Sequence, residues 1–204
     1  MTSRLAAIAL ISVVLGDAIG AQQTLRDRAK VEDQSQIWTG GYEPVTLEML
    51  VERADTIVVG HIQLGRPALL ADNDSVVTYY HVEIDSVIRR TKPPGLVKGE
   101  VLQVRRHGGT MELEGHVLRA TEMGFAQFAA SESYLFFLTQ RKNSRTTKDL
   151  DYYEVSYGPQ GAFRLDTSTN TVRPMQDQFE RWPKDKPIAL ATVIGEVQRI
   201  AAGR

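Results

Sequence analysis

The stretch VVTYYHVEIDSVI, residues 76–88, decides the fold class of this chain. Its side chains alternate in character, and successive side chains of a β-strand point to opposite faces of the sheet. One set is apolar enough to face a core, and the other carries ionisable groups that suit solvent. The stretch therefore predicts a half-buried β-strand. The core-facing set is Thr78, Tyr80, Val82 and Ile84, and the solvent-facing set is Tyr79, His81, Glu83 and Asp85.

Further strands are predicted on both sides of this stretch. One begins at Ile57 and is ended by Gly65 and Pro67, and residues 66–75 are expected to form a loop. Short strands separated by turn residues are typical of all-β domains. We therefore expect a mainly β fold, a small antiparallel β-barrel or sandwich, with an oligonucleotide/oligosaccharide-binding (OB) barrel as one option. Later strands are expected from Val101 and over residues 116–121, 133–139, 152–157 and 162–166, with a hairpin turn at 168–170.

Two amphipathic helices are expected to flank the strands. Thr46 is placed to cap a short N-terminal helix, in which apolar residues from Leu47 to Ala54 recur at helical spacing. A C-terminal helix is expected over residues 188–204, just after Pro187. Its apolar stripe consists of Leu190, Val193, Ile194, Val197, Ile200 and Ala201.

Residues 1–21 have the composition of a secretory signal peptide. Arg4 precedes the apolar run LAAIALISVVLG, and small residues follow from Ala18 to Ala21. Crossing a bilayer takes roughly 20 apolar residues, and Asp17 ends this run earlier. We therefore expect an exported protein, periplasmic or extracellular, without a transmembrane segment after signal cleavage.

Composition also predicts the domain boundaries. Residues 22–45 are polar and lack periodicity, which indicates a flexible linker. The β-domain is expected over residues 46–173, followed by a linker rich in proline and charge over residues 174–187. The C-terminal helix, residues 188–204, is expected to pack on the β-domain.

Charge and cysteine content exclude some classes of function. The chain carries 24 Lys and Arg residues against 25 Asp and Glu residues, so nothing in its net charge favours nucleic acid as a partner. It contains no cysteine, which excludes disulfides, thiolate metal sites and cysteine catalysis.

The motif RRHGGTMELEGH, residues 105–116, combines ionisable residues with glycines. An esterase oxyanion loop would require a G-x-S-x-G nucleophile motif, which the sequence lacks. The motif is interpreted as a strand end, a turn or bulge at Gly108-Gly109, and the start of the next strand. Glu112 and Glu114 are expected to point outward, and Arg105 and Arg106 to lie in a solvated basic stretch.

Histidines offer the alternative of a metal site. His61, His81, His107 and His116 lie on or beside different predicted strands, and they would form a site if they converged with Glu112 or Glu114. His81, Glu83 and Asp85 would also share a shallow surface patch. The motif H-E-x-x-H is absent. No catalytic, cofactor-binding or metal-binding residue is assigned from the sequence, and no cofactor is expected.

Short motifs stand in a fixed order along the chain, at residues 53–60, 78–84, 97–99, 108–109, 115, 134–138 and 160–163. This ordered series resembles a recurrent, mostly uncharacterised class of exported bacterial β-domains. That class shows the order ADxVVxG, TxYxV, KG, GG, LFL and QGxF, and the resemblance implies no catalytic residues. Ala130-Ser131-Glu132-Ser133 replaces the usual glycine-glutamate pair before the LFL strand. At the level of fold, the layout is also similar to OB-like and netrin-like barrels, including those of tissue inhibitors of metalloproteinases.

These observations favour an exported, non-enzymatic binding domain. Its partner would be an extracytoplasmic protein, a glycan or an envelope component. A metal-dependent hydrolase with a strand-borne His/Glu site is one alternative, and an accessory or inhibitory module of a secreted protease is another. Converging histidines would favour the enzyme, whereas an apolar patch or an unpaired edge strand would favour partner binding.

Overall fold

A computed structural model describes residues 24–39, 42–70, 72, 74–92, 95–142, 152–176, 182 and 185–203. The predicted signal peptide lies outside the described residues, as does the Pro93-Pro94 dipeptide. The helices in the described part of the chain are all too short or too polar to cross a bilayer.

The expected mainly β fold is confirmed. In the described residues, 11 strands form two sheets, with two short helices in the N-terminal part of the chain and one helix at the C-terminus. The helices are α1 (Leu25–Arg28), α2 (Leu47–Arg53) and α3 (Leu190–Ala202), with a 3-10 turn at Gly158–Gly161. The strands are β1 (Gln34–Trp38), β2 (Thr56–Leu69), β3 (Val76–Arg90), β4 (Val101–His107), β5 (Gly109–Leu113), β6 (His116–Glu122), β7 (Ser133–Arg141), β8 (Tyr152–Val155), β9 (Ala162–Asp166), β10 (Thr171–Pro174) and β11 (Ile188–Ala189).

Five strands close into a barrel in the order β7-β2-β3-β4-β8, with β8 returning to β7. Neighbours are antiparallel except β4 and β8, which run parallel. A small barrel is one of the two architectures that the sequence predicted. The first half of β7 also pairs with β9, from which β10 and β11 extend the sheet. The second sheet has the order β1-β6-β5.

The barrel interior is filled by the apolar face of the strand that opened the sequence analysis. Tyr80, Val82 and Ile84 are buried there, as predicted. Phe128 enters from the loop before β7, and its ring lies 5.0–5.4 Å from four other aromatic rings. Its edge-on contacts are the geometry that aromatic quadrupoles favour. The other buried members are Val58, Ile62, Leu102, Val104, Phe125, Tyr134, Phe136, Leu138, Tyr153, Val155 and Ala162.

A second apolar layer lies outside the barrel, where α2 and α3 cover the sheet. Thr46 caps α2 as predicted, because its side chain accepts a hydrogen bond from the backbone N–H of Met49 at 3.2 Å. Trp182, within the predicted 174–187 linker, packs on this layer with its ring 6.2 Å from that of Phe163. The remaining buried contacts include Leu47, Leu50, Val51, Ile57, Val59, Leu135, Phe137, Val172, Leu190, Val193, Val197 and Ile200.

The predicted end of the strand that begins at Ile57 was wrong. β2 continues through Pro67 to Leu69, where the sequence indicated a loop from residue 66. β7 pairs with β2 only as far as His61, so the rest of β2 is an edge strand, where proline is tolerated. Its other side pairs with β3 over the whole length, which extends the hairpin.

The prediction of a flexible linker over residues 22–45 was also wrong for its described part. Residues 25–28 form α1, and β1 pairs in parallel with β6. Leu25 is buried, and its backbone N–H donates to Asp74 at 2.8 Å. The sequence of β1, QSQIW, is too polar to show the alternation typical of a strand. Backbone pairing with β6, rather than apolar burial, therefore holds this segment in place.

Gly108-Gly109 lies where the chain passes from β4 of the barrel to β5 of the second sheet, which confirms the predicted glycine turn. Their φ values are 90° and 144°, in a region that side chains disfavour. Thr78 donates its hydroxyl hydrogen to the carbonyl oxygen of Gly108 at 2.7 Å. A Cβ atom on Gly109 would lie 2.4 Å from that hydroxyl oxygen. The following residues Glu112 and Glu114 are exposed, as predicted.

Alanine at position 109 tests this bend. We expect Gly109→Ala to lower the free energy of unfolding by about 2–4 kcal/mol, because the substitution combines a glycine-only φ with a steric clash. The control is Gly195→Ala in α3, where a Cβ meets nothing within 4 Å. That change should stabilise the helix by about 0.5–1 kcal/mol. Chemical unfolding measures both, and equal effects at the two positions would contradict the account.

Candidate functional site

A groove lies between the segment after β6 and the ends of β7, β9 and β10. We call it the Phe125 groove. Its volume is about 720 Å³, within the roughly 300–1,000 Å³ typical of ligand pockets. It is lined by Thr121, Glu122, Met123, Gly124, Phe125, Ala126, Gln127, Glu132, Tyr134, Arg164, Arg173, Pro174 and Met175.

Apolar side chains form one part of the groove. Phe125 is buried in the barrel core, and Pro174 and Met175 also line the groove. Met123 exposes 57% of its surface, so a bound apolar group would remove it from water. Exposed apolar side chains gathered in a concave site are typical of binding surfaces.

Glu122 lies in the wall between the groove and a neighbouring cavity of about 200 Å³. Its side chain is only 10% exposed. The hydroxyl of Tyr42 donates a hydrogen bond to this carboxyl group. Leu118, Ala120 and Glu122 alternate along β6, so Glu122 continues the buried face of that strand.

Arg106 lies beside Glu122 but is held by other groups. Its guanidinium donates to the carbonyl oxygens of Phe125 and Ala126, and it lies 4.2 Å from the centre of the Phe125 ring. The distance from its Nε to Oε2 of Glu122 is 3.6 Å, longer than the roughly 2.7–2.9 Å of a charge-assisted hydrogen bond. Among described residues, this Nε has no hydrogen-bond acceptor.

Burial therefore decides the ionisation of Glu122. Removal from water disfavours the charged carboxylate, and the arginine contact is too long to compensate for that cost. Burial raises the pKa of Glu122 from 4.5 to about 7. A carboxyl group that titrates near neutral pH in a concave site is a marker of functional sites.

The sequence placed Arg106 in a solvated basic stretch, and this prediction was wrong. Arg106 is 5% exposed. It follows Leu102 and Val104 on the inward face of β4, because alternate residues of a strand share one face. The Gly108-Gly109 bend begins two residues later, so this inward position lies at the end of the barrel. There, backbone carbonyls rather than water solvate the guanidinium.

The small neighbouring cavity is lined by groups on the other side of Glu122. His107 stacks on Trp38 with ring centres 4.9 Å apart, and burial lowers the pKa of His107. Arg105 contacts Glu154 at 2.5 Å, and Arg141 contacts the same carboxylate at 2.8 Å. Burial opposes ionisation of Glu154, but the bonds from the two arginines outweigh it and lower its pKa.

The four histidines do not converge. His61 Nδ1 lies 3.1 Å from Asp85, and its Nε2 lies 3.7 Å from Glu83. These two carboxylates were predicted to share a patch with His81 on β3, but their contacts are with His61 across the β2–β3 hairpin. His116 contacts Asp33 at 3.5 Å, and His107 stacks on Trp38. Within the described ranges, no group of three or more His, Asp or Glu residues has the geometry of a metal site.

The sequence analysis missed Tyr42 and Glu122. Glu122 carried a readable signal, because it falls on the buried face of β6, two positions after Ala120. Tyr42 carried none, since its contact with Glu122 depends on how the N-terminal segment crosses the barrel. Its ring also lies against Gly158, where a Cβ would be 2.6 Å from Tyr42.

Comparisons with protein families, with curated proteins and with solved structures find no match to this chain.

The ionisation of Glu122 makes stability depend on pH. Its pKa is higher in the folded than in the unfolded chain, so the folded state holds the proton more tightly between pH 4.5 and about 7. The free energy of unfolding should therefore fall across this window and level off above it, by as much as about 3 kcal/mol.

Glu122→Gln isolates this effect, because it keeps an acceptor for Tyr42 and removes the charge. In chemical unfolding, the variant should have the same free energy of unfolding as the parent at pH 4.5 and a higher one at pH 8. The exposed control, Glu112→Gln, should leave the pH profile unchanged. A variant that is less stable than the parent at pH 8 would show that the carboxylate form is the preferred one.

Proposed function

We propose that this protein is an exported, non-enzymatic domain that holds an extended segment of an extracytoplasmic protein in the Phe125 groove. The groove itself is the observation that supports this proposal most strongly. Its volume lies in the range of ligand pockets, and it combines an apolar part with charged groups at its rim.

The arrangement of Glu122 favours binding over proton transfer in a reaction. Tyr42 and Arg106 approach the carboxyl group from within the protein, and its side chain is largely withdrawn from solvent. The His/Glu constellation on which the hydrolase alternative depended is not assembled in the described part of the chain. The groove instead offers Met123, Phe125 and Met175, and thioether and aromatic groups adapt to varied apolar partners.

A peptide-display selection tests the proposed groove. The mature chain, residues 22–204, is used to select random seven-residue peptides, whose affinities are then measured by fluorescence polarisation. We expect enriched peptides to share an apolar residue. Met123→Gln should weaken them about fivefold, because burying an apolar side chain typically contributes about 1.5–3 kcal/mol and Met123 is only partly covered.

Met49→Gln is the matched control, since Met49 is exposed on α2 outside the groove. It should leave the affinities unchanged. Peptides that bind both variants equally well would place binding elsewhere on the surface, and a selection without enrichment would oppose a peptide-binding role.

The proposed export is tested on the full chain expressed in a bacterial host. The apolar run after Arg4 and the small residues at 18–21 should direct cleavage after Gly20 or Ala21. Mass spectrometry of the extracytoplasmic fraction should find a new N-terminus at Ala21 or Gln22. Leu10→Arg, which places a charge in the apolar run, should retain the full chain in the cytoplasm. An uncleaved parent chain in the cytoplasm would contradict export.

A further inference from the structure

Two arginines stand directly opposite each other at the rim of the Phe125 groove. Arg164 of β9 and Arg173 of β10 are partners in the antiparallel register. Both are exposed, and both line the groove. Side chains of directly opposite residues start about 4.5–5.5 Å apart, and like charges there destabilise the strand pair. Their position therefore calls for a compensating negative group.

The protein supplies only part of this compensation. Arg164 donates a hydrogen bond to Oε1 of Glu132, whose Oε2 accepts the hydroxyl hydrogen of Tyr134 at 2.6 Å. Both carboxylate oxygens of Glu132 are thus engaged. Arg173 forms no ion pair or hydrogen bond with any residue that the structure describes.

Among the described residues, the nearby acidic groups Glu122 and Asp166 form no ion pair with Arg173. Burial keeps Glu122 protonated through much of the range below pH 7. Asp166 lies in an adjoining cavity of about 450 Å³ that also includes Arg164 and Arg173. Its Oδ1 accepts hydrogen bonds from Ser168 and Thr169 in the hairpin turn. The guanidinium of Arg173 is therefore left without a direct carboxylate contact among the described residues.

We infer that the Phe125 groove recognises a carboxylate adjacent to an apolar side chain, with Arg173 and Arg164 as its ligands. This inference rests on the proposed function and specifies its ligand chemistry. The apolar side chain would lie against Met123, Phe125 and Met175, and the carboxylate would lie between the two guanidinium groups. Arginine suits this role because its planar donors match the two oxygens of a carboxylate. The carboxylate belongs to an acidic side chain or to a chain end.

Four synthetic peptides test the inference and separate these two sources. Acetyl-Ala-Leu-Phe carries a terminal carboxylate, and acetyl-Ala-Leu-Phe-amide is its neutral counterpart. Acetyl-Ala-Leu-Phe-Asp-amide carries a side-chain carboxylate, and the corresponding Asn peptide is neutral. Backbone-amide chemical shifts of the mature chain, residues 22–204, give both the affinity and the residues affected.

We expect at least one acidic peptide to bind tenfold more tightly than its neutral counterpart and to shift signals from residues 121–127 and 162–175. The preference should shrink in 0.5 M salt, because exposed charges are screened. Arg173→Gln should abolish the preference, and Arg173→Lys should restore part of it. Arg66→Gln, an exposed change on β2 outside the groove, should leave the preference intact.

Stability provides a second readout that is independent of the ligand. Removing one of two opposed like charges should leave the melting temperature of Arg173→Gln equal to or above that of the parent. A lower melting temperature would show that Arg173 has a structural role and would overturn the inference.

The outcomes distinguish a failure of the carboxylate inference from a failure of the proposed function. If acidic and neutral peptides bind the groove equally and Arg173→Gln has no effect, the carboxylate inference is overturned while the binding groove stands. If no peptide shifts residues of the groove and the display selection also fails, the proposed function is overturned as well.

Discussion

The bend at Gly108-Gly109, held by the hydrogen bond from Thr78 to the carbonyl oxygen of Gly108, is the constraint on which the rest of the structure depends. It ends β4 inside the barrel and starts β5 in the second sheet. Arg106 is the last inward-facing residue of β4, and Glu122 of the second sheet lies beside it. One backbone feature thus joins the two sheets and places two ionisable groups at their junction.

The chemistry of the groove follows from this junction. Arg106 directs its donors to backbone carbonyls, so Glu122 is buried beside a cation without being closely paired. A carboxyl group in this position favours its neutral form, and the groove that it lines combines apolar side chains with two arginines at its rim. The same fold therefore provides both an apolar contact surface and an arginine, Arg173, that forms no ion pair with the described residues.

Local patterns in the sequence predicted the parts of the fold that local forces determine. The alternation around Tyr80, the cap at Thr46 and the glycine turn at 108–109 are each encoded within a few residues. β1 was missed because this segment is held as a strand by its pairing with β6, and no local pattern in the sequence indicates that pairing. The burial of Arg106 and Glu122 can be inferred from the alternation of inward and outward side chains along β4 and β6. Their contact with each other, and the hydrogen bond from Tyr42 to Glu122, can be seen only in the tertiary structure.

The carboxyl group of Glu122, in the wall of the Phe125 groove, is removed from water and titrates near neutral pH. The most direct test is to follow the side-chain carboxyl carbon of Glu122 by carbon-13 NMR through a pH titration, with Glu122→Gln assigning the signal. The account predicts a midpoint near pH 7. A midpoint at or below 4.5, the ordinary value for glutamate, would show that Arg106 and Tyr42 stabilise the carboxylate and would contradict it.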